Sequence, residues 1–518
     1  MAVGKTTVAK QLASALGLQW LDLDAEIEAA AQLPIADIFA ARGEESFRAL
    51  ERSVLQQVTG ALSEPHVIAT GGGVVEGPSN WDALRRLGVV VWLHAPLEAL
   101  RARIVSSDRP LADDDLSARY VRRIPLYAQA DAVVLASEGD VDGTAADVAR
   151  AVHEARAARA VHVQAPSRAY DVYVGQDGVA HAAKWLLQQL PPQVLLVRDA
   201  AVPEEHARRL HAALDSAGVP TSAHVLRGGE SNKGLTALES IWDSILSHGA
   251  DRKTVVVALG GGVTGDMAGF AAATALRGLR IVHIATTLLS MVDSSVGGKT
   301  AINHRQGKNL VGAFHQPSLV CCALETLSSL PDDEIRAGWA EVIKVAVTHD
   351  KALFERLEGV DFSAPQAVDI AAAVALKAEV VRLDEREAGA RKVLNFGHTV
   401  GHAIERATSY ARFKHGEAVA LGMVAALELS MAQGVCPRGD AERVIALLRA
   451  VPLPVKWPEG LAAGAVREAL GHDKKTARRG AAAGVDFIRC LGLGSADVAW
   501  VSLSEVPLSS PSLLDQRG

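Results

Sequence analysis

Arg391-Lys-Val-Leu-Asn-Phe-Gly-His398-Thr-Val-Gly-His402, followed by His415-Gly-Glu417, decides the reading of this 518-residue chain. His398 and His402 are four apart, so on a helix they share one face. His415 returns from the start of the next helix, after a polar turn around Arg412. Upstream, Trp339-Ala-Glu341-Val-Ile-Lys344 has helical apolar periodicity and carries a carboxylate. Two neutral imidazoles and one carboxylate, with a position left open, form a catalytic zinc recipe. A lone histidine in such a helix reads as a packed or solvated side chain. The group reads otherwise, because Lys344, Lys377 and Asn395 lie on the same segments. That polar density suits an anionic ligand better than a core.

Working outward, Val255-Val-Val-Ala-Leu-Gly-Gly-Gly-Val-Thr-Gly-Asp266 reads as a buried strand, a glycine turn and a helix. Gly260, Gly262 and Gly265 fit G-x-G-x-x-G, whose glycines let a backbone approach a pyrophosphate at a helix N-terminus. A Rossmann site also wants an acidic residue about twenty positions on. Ile284-Ala-Thr-Thr287 occupies that stretch, so a standard Rossmann site is excluded. Lys299, Lys308 and Asn309 follow at short range, as an anionic substrate requires.

The length predicts two or three domains. A net charge of −7 gives no reason to expect nucleic acid or membrane as a partner. Cys321, Cys322, Cys436 and Cys490 form no C-x-x-C pair and read as reduced thiols of a cytoplasmic protein. No signal peptide or membrane-spanning run is read. Residues 1–150 alternate helices with the strands Trp20–Asp24, Val67–Thr70 and Val89–Leu93, an α/β pattern with a parallel sheet. Residues 151–168 read as a linker. A second α/β region follows from Tyr170, with strands at Val194–Arg198, Val255–Leu259 and Ile281–Ala285. From Pro331 the pattern is mainly helical, with a late strand at Val485–Arg489.

Leu394–His402 with His415-Gly-Glu417, and Asp293-Ser-Ser-Val-Gly-Gly-Lys-Thr-Ala-Ile-Asn303, resemble the 3-dehydroquinate synthase family. The resemblance runs from about Tyr170 to the C-terminus. It implies an NAD-binding α/β subdomain at 169–328 and a mainly helical metal- and substrate-binding subdomain at 329–518. Glu341, His398 and His415 are implied to hold Zn2+ or Co2+. Gly260, Gly261, Gly262, Asp266, Thr286 and Thr287 are implied to hold NAD, with Glu230 and Lys233 on a second nucleotide loop and Asp199 at the adenosine end. Arg277, Asp293, Lys299, Lys308, Asn309, Lys377, Arg391 and Lys474 are implied to line the pocket of a substrate bearing a carboxylate and a phosphate. The implied reaction converts 3-deoxy-arabino-heptulosonate 7-phosphate to 3-dehydroquinate and phosphate with catalytic NAD. His402, Lys299, Lys344 and Asn395 are the implied catalytic groups. His402 serves as proton carrier, with a purely structural role equally open. A homodimer through this half is also implied. The rival is a metal-dependent NAD polyol or alcohol dehydrogenase, which does not need the lysine cluster.

The first part begins Met1-Ala-Val-Gly4-Lys5-Thr6-Thr7, the end of a phosphate-cradling P-loop. Asp22-Leu-Asp24, Phe47-Arg48, Gly71-Gly-Gly73, Arg109-Pro-Leu111 and Arg123-Ile-Pro-Leu-Tyr127 follow. In that order they resemble the shikimate kinase family. The resemblance implies ATP and Mg2+ at Gly4, Lys5, Thr6 and Asp22, with Arg109 closing on the phosphates. It implies shikimate at Asp24, Arg48, Gly72, Gly73 and Arg123. The first P-loop glycine and its strand would precede Met1. The expectation is therefore a start ~10–20 residues upstream, with that strand and glycine. Little kinase activity is expected of the 518 residues as written, and the alternative is a kinase-like half that serves only as a structural module.

Overall fold

The computed structural model describes residues 3–62, 64–95, 97–105, 113–136, 139–471, 476–479 and 482–508. They form two compact units. The first comprises Met1–Ala158 with Val179–Val194 and Glu205–Thr221. The second comprises Arg159–Gly178, Leu195–Glu204 and Ser222–Gly518.

The first unit runs α1 (Lys5–Leu16), β1 (Gln19–Asp22), α2 (Leu23–Ala31), α3 (Ile35–Ala61), β2 (His66–Ala69), α4 (Pro78–Leu87), β3 (Val91–His94), α5 (Leu97–Val105), α6 (Asp113–Tyr127), β4 (Ala132–Leu135) and α7 (Val141–Ala157). The helix expected from Val3 starts at Lys5, because Gly4 before it is left-handed at φ +87°, a conformation glycine takes without steric cost. Val8 and Leu12 of α1 pack with Val134, Ala145 and Val148. The strands form two separate parallel pairs, β1–β2 and β3–β4, where one parallel sheet was expected. Every residue of β2 and of β3 lines one cavity of about 510 Å³, together with Val3, Val8 and Leu12. The second edge of β2 and that of β3 thus meet across an apolar slot.

The second unit opens with β5 (Arg159–Gln164) and β6 (Ala169–Gly175), paired antiparallel. This corrects the expected linker at 151–168: α7 continues to Ala157 and β5 follows, its side chains alternating with Val163 fully buried. Along the chain come next α8 (Gly178–Gln189) and α9 (Glu204–Asp215), which apart from their first residues group with the first unit, and, in the second unit, β7 (Val194–Asp199), β8 (Thr221–Leu226), α10 (Leu235–Ser247), β9 (Val255–Gly260), α11 (Gly262–Thr274) and β10 (Arg280–Ala285). Then follow the hairpin β11 (Lys299–His304) and β12 (Gly307–Phe314), and β13 (Leu319–Ala323). The seven-stranded sheet has the order β5-β6-β13-β10-β9-β7-β8. β6, β13, β10 and β9 run parallel. The six residues of β9 are all buried, as a central parallel strand requires.

The remainder is α12 (Asp332–His349), α13 (Lys351–Leu357), α14 (Ala367–Leu383), α15 (His398–Ala407), α16 (His415–Ala432), α17 (Arg438–Ala450) and α18 (Ala463–Gly471). An antiparallel sheet of β14 (Thr476–Arg479), β15 (Ala482–Gly492) and β16 (Ser495–Ser502) closes it, where one strand was expected. Trp339 and Phe396 are fully buried in its core. All four cysteines are buried thiols outside any disulfide. Among the described residues, no helix is long and apolar enough to cross a membrane.

Apolar surface left facing a cavity weakens packing. The first unit should therefore melt in its own calorimetric transition, at least about 5 °C below the second. A single cooperative endotherm for the whole chain would contradict this.

Candidate functional site

The second unit gathers its polar residues in two adjoining places. At the carboxyl ends of neighbouring strands, β7 ends at Asp199, β9 at Gly260, and β10 runs into Thr286. Open α/β sheets bind ligands at such ends. Asp199 Oδ2 accepts from Thr264 Oγ1 at 3.1 Å. A Cβ on Gly228 would lie 2.7 Å from Asp199, and one on Gly260 2.7 Å from Thr264. Thr286 N donates to Gly260 O at 3.1 Å, and Thr287 lies against Gly261. Gly261 caps α11 with no side-chain bond to its first N–H groups. These stay available to an anion. Lys233 bonds Asp266 and, at 2.5 Å, Asn309. Burial raises the Asp266 pKa to about 6, with Lys233 opposing. Glu230 accepts from Asn303 at 2.8 Å.

The second place is where α12, α15 and α16 cross. Gly397 is left-handed at φ +78° and starts α15 at His398. A Cβ there would lie 2.7 Å from Val419 O of α16. A Cβ on Gly416 would overlap the carbonyl oxygen of Ala337, one turn before Glu341 on α12. Glycine therefore brings three donor-bearing helices together. Glu341 Oε1 lies 3.7 Å from His398 Nε2 and 3.8 Å from His415 Nε2. The other oxygen, Oε2, is held by the buried Lys344. Glu341 Oε1 itself is buried with no hydrogen-bond partner. His398 Nδ1 faces Phe396 O at 3.2 Å, and His415 Nδ1 faces Glu405 Oε2 at 3.4 Å. Such contacts fix the tautomer that frees Nε2 for a metal. Glu405 is held down to about pKa 2: burial would raise it, but His415 and Lys308 outweigh burial. The three donors, the orphaned Glu341 oxygen among them, fit a divalent metal. His402, Glu405 and His415 form a second close group sharing His415. There, however, Glu405 already holds His415 Nδ1.

Around these donors lie the expected anion-binding groups. Lys377 bonds the Asp293 carboxylate and, at 2.6 Å, the Asp293 carbonyl. Burial lowers its pKa to about 8, against the pull of Asp293. Asp293 sits in a π-helical turn, Ser290–Ser294, a local form common at functional sites. Arg391 is buried and donates to Gly297 O at 3.2 Å and Glu385 O at 2.6 Å. Lys299 pairs with Glu387, which also accepts from Asn395 at 2.5 Å. Lys308 reaches Glu405 at 3.4 Å and covers the Tyr410 ring. Arg277 sits on an exposed turn and, among the described residues, joins none of these groups. Lys474 lies outside the described residues. The sequence reading missed Glu387, Glu405, Asn303 and Tyr170, whose hydroxyl accepts from Gly297 N at 3.0 Å. Glu405 follows His402 by three on the same helix, and Glu387 closes Asp384-Glu-Arg-Glu387 just before Arg391. Both signals were available in the sequence.

In the first unit, Thr6 Oγ1 donates to Asp22 Oδ2 at 2.7 Å, and Asp24 N donates to Asp22 Oδ1 at 3.0 Å. The Gly71 backbone lies against Asp24 and the Gly73 backbone against the Arg48 guanidinium, with no room for a Cβ. Gly72 O accepts from Tyr127 at 2.6 Å. Arg48 and Arg123 converge, but on Glu76, at 3.1 and 2.8 Å. Arg109 lies outside the described residues.

A glycine turn at strand ends, beside a three-donor metal site lined with cations, defines a nucleotide- and metal-dependent enzyme acting on an anion. Family models agree. "3-dehydroquinate synthase N-terminal" matches residues 223–337, "3-dehydroquinate synthase C-terminal" matches 338–476, and "Shikimate kinase" matches 1–155. The chain is 45% identical over 326 residues to a 3-dehydroquinate synthase of Synechococcus sp., covering 61% of this chain and 89% of that one. It is 42% identical over 324 residues to the enzyme of Desulforamulus reducens, covering 61% and 90%. Among solved structures, 2-deoxy-scyllo-inosose synthase complexed with carbaglucose-6-phosphate, NAD+ and Co2+ is similar. It has a TM-score of 0.62 and 25% identity, over 67% of this chain and 98% of that one. The 2-epi-5-epi-valiolone synthase of Streptomyces hygroscopicus, with NAD+ and Zn2+ bound, has a TM-score of 0.57 and 28% identity, over 65% and 94%. The chain belongs to the 3-dehydroquinate synthase family and carries a shikimate kinase region ahead of it.

Gly416→Ala tests the helix crossing. Its methyl must push α16 from α12 and part His415 from Glu341, so metal affinity should fall about 10-fold or more. His398→Ala, which removes a donor outright, sets the lower limit. Full metal content in a dialysed Gly416→Ala sample would contradict the account.

Proposed function

We propose that the second unit converts 3-deoxy-arabino-heptulosonate 7-phosphate to 3-dehydroquinate and phosphate. The observation that carries this is the buried, unpartnered Glu341 Oε1 facing two imidazole nitrogens beside the Lys377–Asp293 and Lys299–Glu387 pairs. Glu341, His398 and His415 would hold Zn2+ or Co2+. Asp199, Glu230, Lys233, Gly260, Gly261, Gly262, Asp266, Thr286 and Thr287 would hold NAD. When bound, these groups supply Lewis-acid polarisation of a hydroxyl and reversible hydride acceptance.

The chain's own residues do the rest. Lys299, Lys308, Asn309, Lys377, Arg391 and Asn395 bind and orient the dianionic substrate. Lys299, Lys308 and Lys377 would each leave a carboxylate of the protein for the ligand's carboxylate or phosphate, and the released side chain must then find water or another donor. Lys344 fixes Glu341 through its second oxygen. His402, its ring centroid 5.2 Å from that of His398, would carry the proton. In the first unit, Gly4, Lys5, Thr6 and Asp22 would face ATP and Mg2+, and Asp24, Arg48, Gly72, Gly73 and Arg123 would face shikimate. The same reading assigns residues 1–150 to the kinase-type domain, 169–328 to NAD binding, and 329–518 to metal and substrate.

Phosphate release should continue for many turnovers with NAD at a small fraction of the substrate concentration. NADH accumulating in step with product would favour a dehydrogenase instead. A homodimer through the second unit is proposed on the exposed apolar side chains Leu310, Val311 and Phe314 of β12. Sedimentation at micromolar concentration should give twice the chain mass; a monomer there would refute it.

A further inference from the structure

Glu76 lies three residues beyond the Gly71-Gly-Gly73 turn, in a short 3-10 turn before α4. Its carboxylate takes Arg48 Nη2 at 3.1 Å, Arg123 Nη2 at 2.8 Å and Arg122 Nη2 at 3.0 Å. Burial would raise its pKa, yet the pKa lies below the usual value because Arg123, Arg122 and Arg48 outweigh burial. Arg48 also reaches Glu44 at 3.2 Å and the buried Glu51 at 3.0 Å. Three guanidiniums are therefore matched by three carboxylates, with Asp24 close enough to raise the Glu51 pKa further, after burial itself. Among the described residues, an incoming carboxylate finds no surplus positive charge on these arginines.

We infer that Glu76 is an internal competitor that occupies the carboxylate subsite formed by Arg48 and Arg123. A cyclic hydroxy acid must displace it to bind. This rests on the reading that the first unit takes shikimate. It adds that recognition of the acid group is suppressed by a residue of the chain itself, an element directed against the ligand's charge rather than its ring. The subsite opens when the Glu76 carboxylate leaves Arg48 and Arg123. The apparent affinity is the intrinsic one reduced by the fraction of molecules in that open form.

Calorimetric titration of the full 518-residue chain tests this with two probes, shikimate and its uncharged methyl ester. The unmodified chain should bind the two with similar affinity. Glu76→Gln should bind shikimate about 10-fold or more tighter while leaving ester affinity unchanged. A preference of the unmodified chain for the acid by that factor overturns the proposal, whether or not the variant folds. Equal, weaker or undetectable shikimate binding by Glu76→Gln also overturns it. Arg123→Ala added to Glu76→Gln separates the two layers. If Arg123→Ala costs acid affinity but Glu76→Gln gains none, only the competition fails. If Arg123→Ala changes nothing, the reading of the subsite fails with it.

Discussion

The crossing of α16 with α12 and α15, made where no side chain can stand, holds the synthase site together. Gly416 seats α16 on Ala337 of α12, and Gly397 seats the start of α15 on Val419 of α16. A helix–helix distance set by backbone contact cannot relax by a rotamer change, because no rotamer separates the surfaces. Glu341, His398 and His415 therefore hold their spacing without relying on flexible side chains. The contacts His398–Phe396 and His415–Glu405 then choose which ring nitrogen faces inward. Position comes from the backbone, tautomer from the surrounding polar groups.

Around that fixed point the pocket is built of ion pairs internal to the chain. Lys377 with Asp293, Lys233 with Asp266 and Lys344 with Glu341 are each largely buried on the lysine side. Removing one partner of such a pair typically costs about 3–5 kcal/mol, because the other is left buried and uncompensated. Exchanging a partner costs far less. A site made this way stays folded when empty, yet still has cations ready for an anionic ligand. The first unit uses the same device, with Glu76 holding both Arg48 and Arg123.

Much of this was legible in the sequence. The buried run Val255–Leu259 followed by glycines marked a central parallel strand that ends in a tight turn before a helix. The four-residue spacing of His398 and His402 on a helix, with His415 opening the next, marked the two helices that bring these imidazoles near Glu341. The hairpin Lys299–Phe314 was not legible: its β12 strand is mostly exposed, so no apolar alternation marks it. β5 was hidden in an Ala/Arg-rich stretch whose composition suits a helix or a tether. The terminal sheet was seen only through its buried central strand. Glu387 and Glu405 had sequence signals in their spacing to Arg391 and His402, but a carboxylate on a helix or turn is most often solvated, and their partners Asn395 and His415 come from the tertiary contact. Arg48 and Arg123 were legible as a pair. What they hold was not, since Glu76 approaches from 28 positions away from one and 47 from the other.

The slot between β2 and β3 changes how the whole chain behaves in company. A strand edge with free N–H and C=O groups is a template for any extended segment that can reach it. Here two such edges face one another across an apolar channel, so a guest strand would be paired on both sides at once. A neighbour's exposed apolar segment would satisfy both edges and, in doing so, join two copies through the half of the molecule that carries no part of the metal site.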